Sequence, residues 1–155
     1  MPSHQLHTRH ERRFDANRFV YPVLSRRSRG ISIGVNLNPD KICNFDCIYC
    51  QVDRRSASEV PFVEVDTLLA ELRSTLELVT SGALYETEKF RSVPEPLRRL
   101  NDIAFSGDGE PTTFKNFDLL MEQCAAVKRQ FRIADCGLRI DGHKSEIRNP
   151  KSKWC

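Results

Sequence analysis

No apolar run in this sequence approaches the roughly 20 residues that a membrane-crossing helix needs, so no membrane partner is expected. Nor is there a secretory signal, because the first residues carry His and Arg where an apolar core would stand. Without export, the six cysteines are expected to stay reduced in a cytoplasmic protein rather than to form a disulfide framework. Low-complexity stretches and internal repeats are absent, and 155 residues suffice for one domain with a core. A strong overall charge is missing too, at +3, but its distribution is uneven. Residues 1–30 hold seven Arg against two acids, residues 128–155 eight Lys or Arg against three acids, and the stretch between nine basic and sixteen acidic residues. Basic ends suit nucleic acid. No aromatic interleaving or nucleic-acid motif accompanies them, so solvated tails are the plainer reading.

What the chain does have is a dense run of thiols, Cys43-Asn44-Phe45-Asp46-Cys47-Ile48-Tyr49-Cys50. Soft sulfur ligands at C-x3-C-x2-C spacing select zinc or an iron–sulfur cluster over hard cations. Three ligands are one fewer than a closed four-cysteine site requires. Either a distant donor completes a zinc site, or one metal position stays open.

Residues 1–29 read as a basic arm, with Phe14, Phe19, Val20, Tyr21 and Val23 able to dock on a core. His4, His7 and His10 recur at three-residue intervals, a weak hint of metal on a chain end. Residues 31–37 alternate apolar with small or polar side chains, which predicts a strand packed on one face and polar on the other. Asn38-Pro39-Asp40 ends it, and the thiol loop follows at once, where open α/β sheets place ligands. Arg54 and Arg55 then read as a solvated pair that could reach a carboxylate or phosphate.

Val65, Leu68, Leu69, Leu72, Leu76 and Val79 recur at helical spacing, with Glu71, Arg73, Thr75 and Glu77 assigned to the wet side. Asp66 is the expected N-cap and Ser81-Gly82 the stop. Residues 83–101 read as a charged surface excursion, with Tyr85 and Phe90 as packing or surface residues. Asp102–Ser106 alternates as a second strand and runs into Gly107-Asp108-Gly109-Glu110-Pro111-Thr112. Asn116 would cap a second helix with Phe117, Leu120, Met121, Cys124, Val127 and Phe131 on its apolar stripe. Cys124 is therefore core. Strand–helix–strand–helix order predicts an α/β fold with a parallel sheet. After Phe131 the pattern weakens: residues 132–155 read as a polar basic tail, Cys136 and Cys155 have no ligand spacing, and Trp154 is a packing or surface residue.

The pairing of Cys43-x3-Cys47-x2-Cys50 after one strand with Ser106-Gly107-Asp108-Gly109-Glu110-Pro111 after the next resembles the radical S-adenosylmethionine (SAM) superfamily. The resemblance covers residues 30–131, and the fuller motifs look most like its wyosine-synthase-related branch, which modifies tRNA. It implies the N-terminal portion, about two βα units, of a partial (βα)6 barrel. Cys43, Cys47 and Cys50 would hold three irons of a [4Fe–4S] cluster, and SAM would chelate the fourth. Reductive cleavage would then yield methionine and a 5′-deoxyadenosyl radical. Tyr49 would lie against adenine, and Phe45 and Ile48 would shield the cluster. Asp108, Gly109 and Glu110 would meet the methionine ammonium, with Asp108 standing where the family has its first Gly. Ser106 and Asn36 would point into the barrel, and no residue is assigned as catalytic. The implied partners are an electron donor of flavodoxin or ferredoxin type and a tRNA or protein substrate. With two βα units of six and an abrupt loss of pattern, the chain is expected to be a truncated or frame-shifted piece of a longer enzyme. A non-catalytic zinc- or iron–sulfur-binding interaction module is the alternative.

Overall fold

The computed structural model describes residues 14–45, 47–131, 133 and 137–140. His4, His7, His10, Cys136, Trp154 and Cys155 lie outside them, as does most of the proposed tail. In chain order, strand β1 (Val20–Ser25) and strand β2 (Gly30–Val35) are followed by helix α1 (Val65–Ser81). Strand β3 (Leu100–Phe105), helix α2 (Phe117–Gln130) and strand β4 (Gly137–Ile140) complete the set, in one sheet of order β1-β2-β3-β4. β1 is antiparallel to β2, whereas β2–β3 and β3–β4 are parallel. The fold is thus α/β with a mixed sheet, and each parallel pair is joined through a helix.

Two strands depart from the sequence expectation. Val20–Ser25, assigned above to the arm, is an edge strand with Phe19, Val20, Tyr21 and Leu24 buried. Pro22 suits an edge because it has no N–H to offer a further neighbour. A further strand lies in the stretch assigned above to the polar tail: Gly137–Ile140 pairs with Asp102–Phe105. Its four-residue length explains why no alternation announced it.

The core gathers Ile31, Ile33 and Val35 of β2 and Ile103 and Phe105 of β3 with Leu68, Leu72 and Leu76 of α1 and Leu120, Cys124 and Val127 of α2. Phe105 meets the Phe117 ring edge-on, with centroids 5.5 Å apart. Removing any of these Leu side chains from water contributes about 1.5–3 kcal/mol. The opposite side of β2 is polar by sequence yet also buried: Ser32 donates to the Asp102 carboxylate across the strand pair, and Gly34 lies beneath the Tyr21 ring.

Helix α1 ends as expected, with Gly82 in the left-handed region at φ 83°. Its N-cap is Glu64 rather than Asp66, which sits in the first turn, where a negative charge favours the positive end of the helix. The wet-side assignment of Glu71 and Thr75 does not hold. Glu71 is only 8% exposed, and its carboxylate accepts the N–H groups of Arg18, Phe19 and Val20 at 2.8, 2.8 and 3.1 Å. Thr75 is buried and accepts from the Asn17 amide at 3.1 Å. The side chains expected to face water instead fasten the start of β1 to α1. Residues 83–101 are also more than an excursion, since Leu84 is buried within one 3-10 turn (Ala83–Glu86) and Phe90 and Val93 are buried between it and a second (Glu95–Leu97). Tyr85 is partly buried, with the Arg98 guanidinium 5.1 Å from its ring centroid.

Cys124 is fully buried on α2, as expected, and burial pushes its thiol up to about 12. At pH 8 about one such thiol in ten thousand is ionised. Iodoacetamide with mass-spectrometric mapping at that pH should label Cys50 readily and Cys124 only after urea unfolds the chain.

Candidate metal and cofactor site

Two loops leave the carboxyl ends of adjacent parallel strands. One runs from Asn36 after β2 into the thiols, and the other is Ser106–Glu110 after β3. This is the edge at which open α/β sheets collect ligands. The ladder extends one step further, with Ser106 N–H donating to Val35 C=O at 3.1 Å, so both loops depart from the same level.

Asn36 joins them. Its amide donates to the Asp108 carboxylate at 2.7 Å, while its oxygen accepts the Asp108 N–H at 3.2 Å and the Asn38 N–H at 3.1 Å. Asn38 in turn reaches the Ile42 carbonyl and the Thr113 hydroxyl, each at 3.4 Å. The glycines of the second loop are there because these side chains come so close. A Cβ on Gly107 would stand 2.2 Å from Asn36 Oδ1, and one on Gly109 2.7 Å from Asn38 Cγ. Gly107→Ala should therefore lower the unfolding free energy by about 1–3 kcal/mol in urea titrations, because Asn36 cannot yield without breaking its bonds to Asp108.

Tyr21 supports the second loop from β1, its hydroxyl donating to Ser106 C=O at 2.9 Å. Arg54 bridges the two loops more directly. Its guanidinium donates to the carbonyls of Lys41 and, at 3.2 Å, Asp108, and lies 3.5 Å from Cys50 Sγ. The bond to Cys50 is the main reason its pKa is raised. Arg54 is thus not simply half of a solvated pair.

The expected site residues are placed as follows. Cys43, Cys47 and Cys50 share one loop, with Cys50 N–H donating to Cys47 C=O at 2.9 Å in a turn. Cys50 is exposed, Cys43 and Cys47 partly so, and no group of three His, Cys, Asp or Glu among the described residues is gathered tightly enough to hold a metal ion. Tyr49 is 76% and Ile48 102% exposed, and Phe45 is also exposed, so these side chains are turned largely to solvent. Asp108 is engaged by Asn36. The Glu110 carboxylate accepts from the Thr112 N–H and, at 2.7 Å, the Thr112 hydroxyl, capping the turn Pro111–Thr113. Ser106 lends its backbone to both β2 and Tyr21.

The donor set itself fits an iron–sulfur cluster. Three accessible thiols sit in one loop, and among the described residues no further His, Cys, Asp or Glu is gathered with them. Two clefts, of about 380 and 390 Å³, lie elsewhere, around residues 14–18, and none of the site residues lines them.

Tyr21, Asn38 and the bridging role of Arg54 were not anticipated. Gly34 opposite Tyr21 and the Pro after Asn38 were the only local cues, and neither names a partner 75 or more residues away.

Comparison with known proteins adds a relationship at this point. The chain is 36% identical over 118 residues to a UPF0026 protein of Methanocaldococcus jannaschii, covering 72% of this chain and 29% of that protein. Its relatives include UPF0026 proteins. A second, from Helicobacter pylori strain J99, is 29% identical over 110 residues, covering 69% of this chain and 29% of that protein. The GTPase Obg of Brachyspira hyodysenteriae is 29% identical over 109 residues, 68% of this chain but 13% of that protein. The chain therefore spans under a third of the length of each of these relatives. No family model and no solved structure matches it.

Proposed function

We propose that this chain is the cofactor-binding portion of a radical SAM iron–sulfur enzyme, its sheet forming the first part of a partial (βα)6 barrel. The observation that carries the reading is the meeting of two loops at the carboxyl ends of neighbouring parallel strands, one bearing C-x3-C-x2-C and the other Gly-Asp-Gly-Glu. When bound, the cluster and SAM supply reductive cleavage of a sulfonium to methionine and a 5′-deoxyadenosyl radical.

The chain's own residues divide the remaining work. Cys43, Cys47 and Cys50 bind the metal sulfide core as thiolates. Asn36 holds Asp108 beside them, and Gly107 and Gly109 allow the close approach that brings the second loop in. Glu110 takes both Thr112 bonds on Oε1, so its second oxygen can serve an ammonium group while the cap of the following turn stays in place. Tyr49, Ile48 and Phe45 are exposed, and against a bound cluster and SAM they would exclude water. Reduction calls for a one-electron donor of flavodoxin or ferredoxin type.

The similarity to a GTPase does not extend to a nucleotide reading, because the sequence has no Gly-x4-Gly-Lys-Ser/Thr loop. The substrate is a tRNA or a protein; the basic ends would suit tRNA, and a salt-sensitive gel shift tests that choice. The function itself is tested by anaerobic reconstitution with iron and sulfide, reduction with dithionite and addition of SAM. We expect about four irons and four sulfides per chain and release of 5′-deoxyadenosine. One zinc per chain without sulfide would replace this reading with a metal-binding interaction module.

A further inference from the structure

We propose that Arg54 is a positioning residue that donates a charged hydrogen bond to the Cys50 sulfur and so raises the reduction potential of the cluster held there. The inference rests on the iron–sulfur reading of the same loop, but the residue that carries it lies outside both motifs.

Arg54 has three attachments. One guanidinium nitrogen, Nη1, serves two backbone carbonyls: Lys41, two residues before the first thiol, and Asp108 at 3.2 Å in the second loop. The other, Nη2, is 3.5 Å from Cys50 Sγ, within the range of a hydrogen bond to sulfur. A planar guanidinium with five donors can satisfy such a fork, whereas an ammonium on a flexible stem cannot hold the same plane. Lys41 itself is in the left-handed region at φ 62°, a backbone state uncommon for a side-chain-bearing residue. Its N–H donates to Asn38 C=O at 2.9 Å, so the carbonyl that receives Arg54 is held in a turn. The result is a brace spanning the start of the thiol loop, its last thiol and the loop after β3.

Hydrogen bonds to cluster sulfurs are among the factors that set the potential of such centres. A cationic donor stabilises the state with more negative charge, which is the reduced one. The fixed positive charge at the Cys50 corner therefore eases acceptance of the single electron that dithionite supplies. The neighbouring Arg55 does not share this role: its own N–H donates to the Asp53 carboxylate at 2.9 Å.

The test is an anaerobic redox titration of the reconstituted full chain, followed by electron paramagnetic resonance, for the unsubstituted protein and for Arg54→Gln, Arg54→Lys and Arg55→Gln. Arg54→Gln should shift the reduction equilibrium about tenfold against the reduced state, a midpoint more negative by about 59 mV for one electron. Arg54→Lys should recover part of that shift through its charge, and Arg55→Gln should leave the midpoint in place. Equal midpoints for the unsubstituted and Arg54→Gln clusters would overturn the role of Arg54 while leaving the cluster reading intact. A sulfide-free metal in the unsubstituted chain would overturn both. Should Arg54→Gln fail to hold a cluster, the Lys variant decides: a midpoint more negative by the full amount of about 59 mV would overturn the role of the charge, and an unshifted one the role of the guanidinium hydrogen bond.

Discussion

Replacing any one of Cys43, Cys47 and Cys50 by Ala should reduce sulfide bound after reconstitution to under about a tenth and bring 5′-deoxyadenosine formation to background. A cluster held by three thiolates has no spare protein ligand, and no other His, Cys, Asp or Glu group among the described residues stands ready to substitute. The same substitutions should hardly touch folding. Cys50 is exposed and none of the three belongs to the buried core, so urea midpoints should correspond to changes within about 0.5 kcal/mol. That separation gives the experiment its force. Binding lost together with the fold would mean the thiols serve structure, whereas binding lost alone assigns them to the metal. Retention of a sulfide-containing cluster by all three variants would remove the proposed site.

The second large effect is expected far from the thiols. Glu71→Ala should destabilise the chain by about 3–5 kcal/mol, a large part of what a domain of this size has to lose. The carboxylate serves three backbone donors at the entry to β1, and two of those bonds are buried. Alanine would leave each buried N–H without a partner, at about 1–3 kcal/mol apiece. Glu71→Gln should cost less, because its oxygen can still accept from Phe19 and Val20 while its amide faces the Arg18 donor. Urea unfolding measures the totals, and hydrogen exchange at the amides of Phe19 and Val20 locates the damage. Unchanged protection there in Glu71→Ala would show that the carboxylate is not what fastens the strand.

These two cases also mark the limits of reading the chain by pattern. Period-2 alternation exposed β2 and β3, and helical spacing exposed both helices, because in each the packed face repeats within a few residues. The thiol run and the Gly-Asp-Gly-Glu stretch were legible for a similar reason, being local in sequence. Glu71 was misplaced because a carboxylate on a helix defaults to solvent, and only the approach of a segment 51–53 residues away reverses that. β1 was hidden by the arginines around it and by Pro22, and β4 by its brevity. In the site, Asn36, Asn38, Tyr21 and Arg54 act across separations of 54–85 residues where a second residue is involved outside their own loop. No spacing rule can encode such a meeting before the sheet brings it about.

The sheet has a direction built into it. On one flank the neighbouring strand runs against the others, and its proline denies a docking edge one of its donors. A further strand beside Gly137–Ile140 would continue the parallel run, whereas one beside Val20–Ser25 would meet the antiparallel flank.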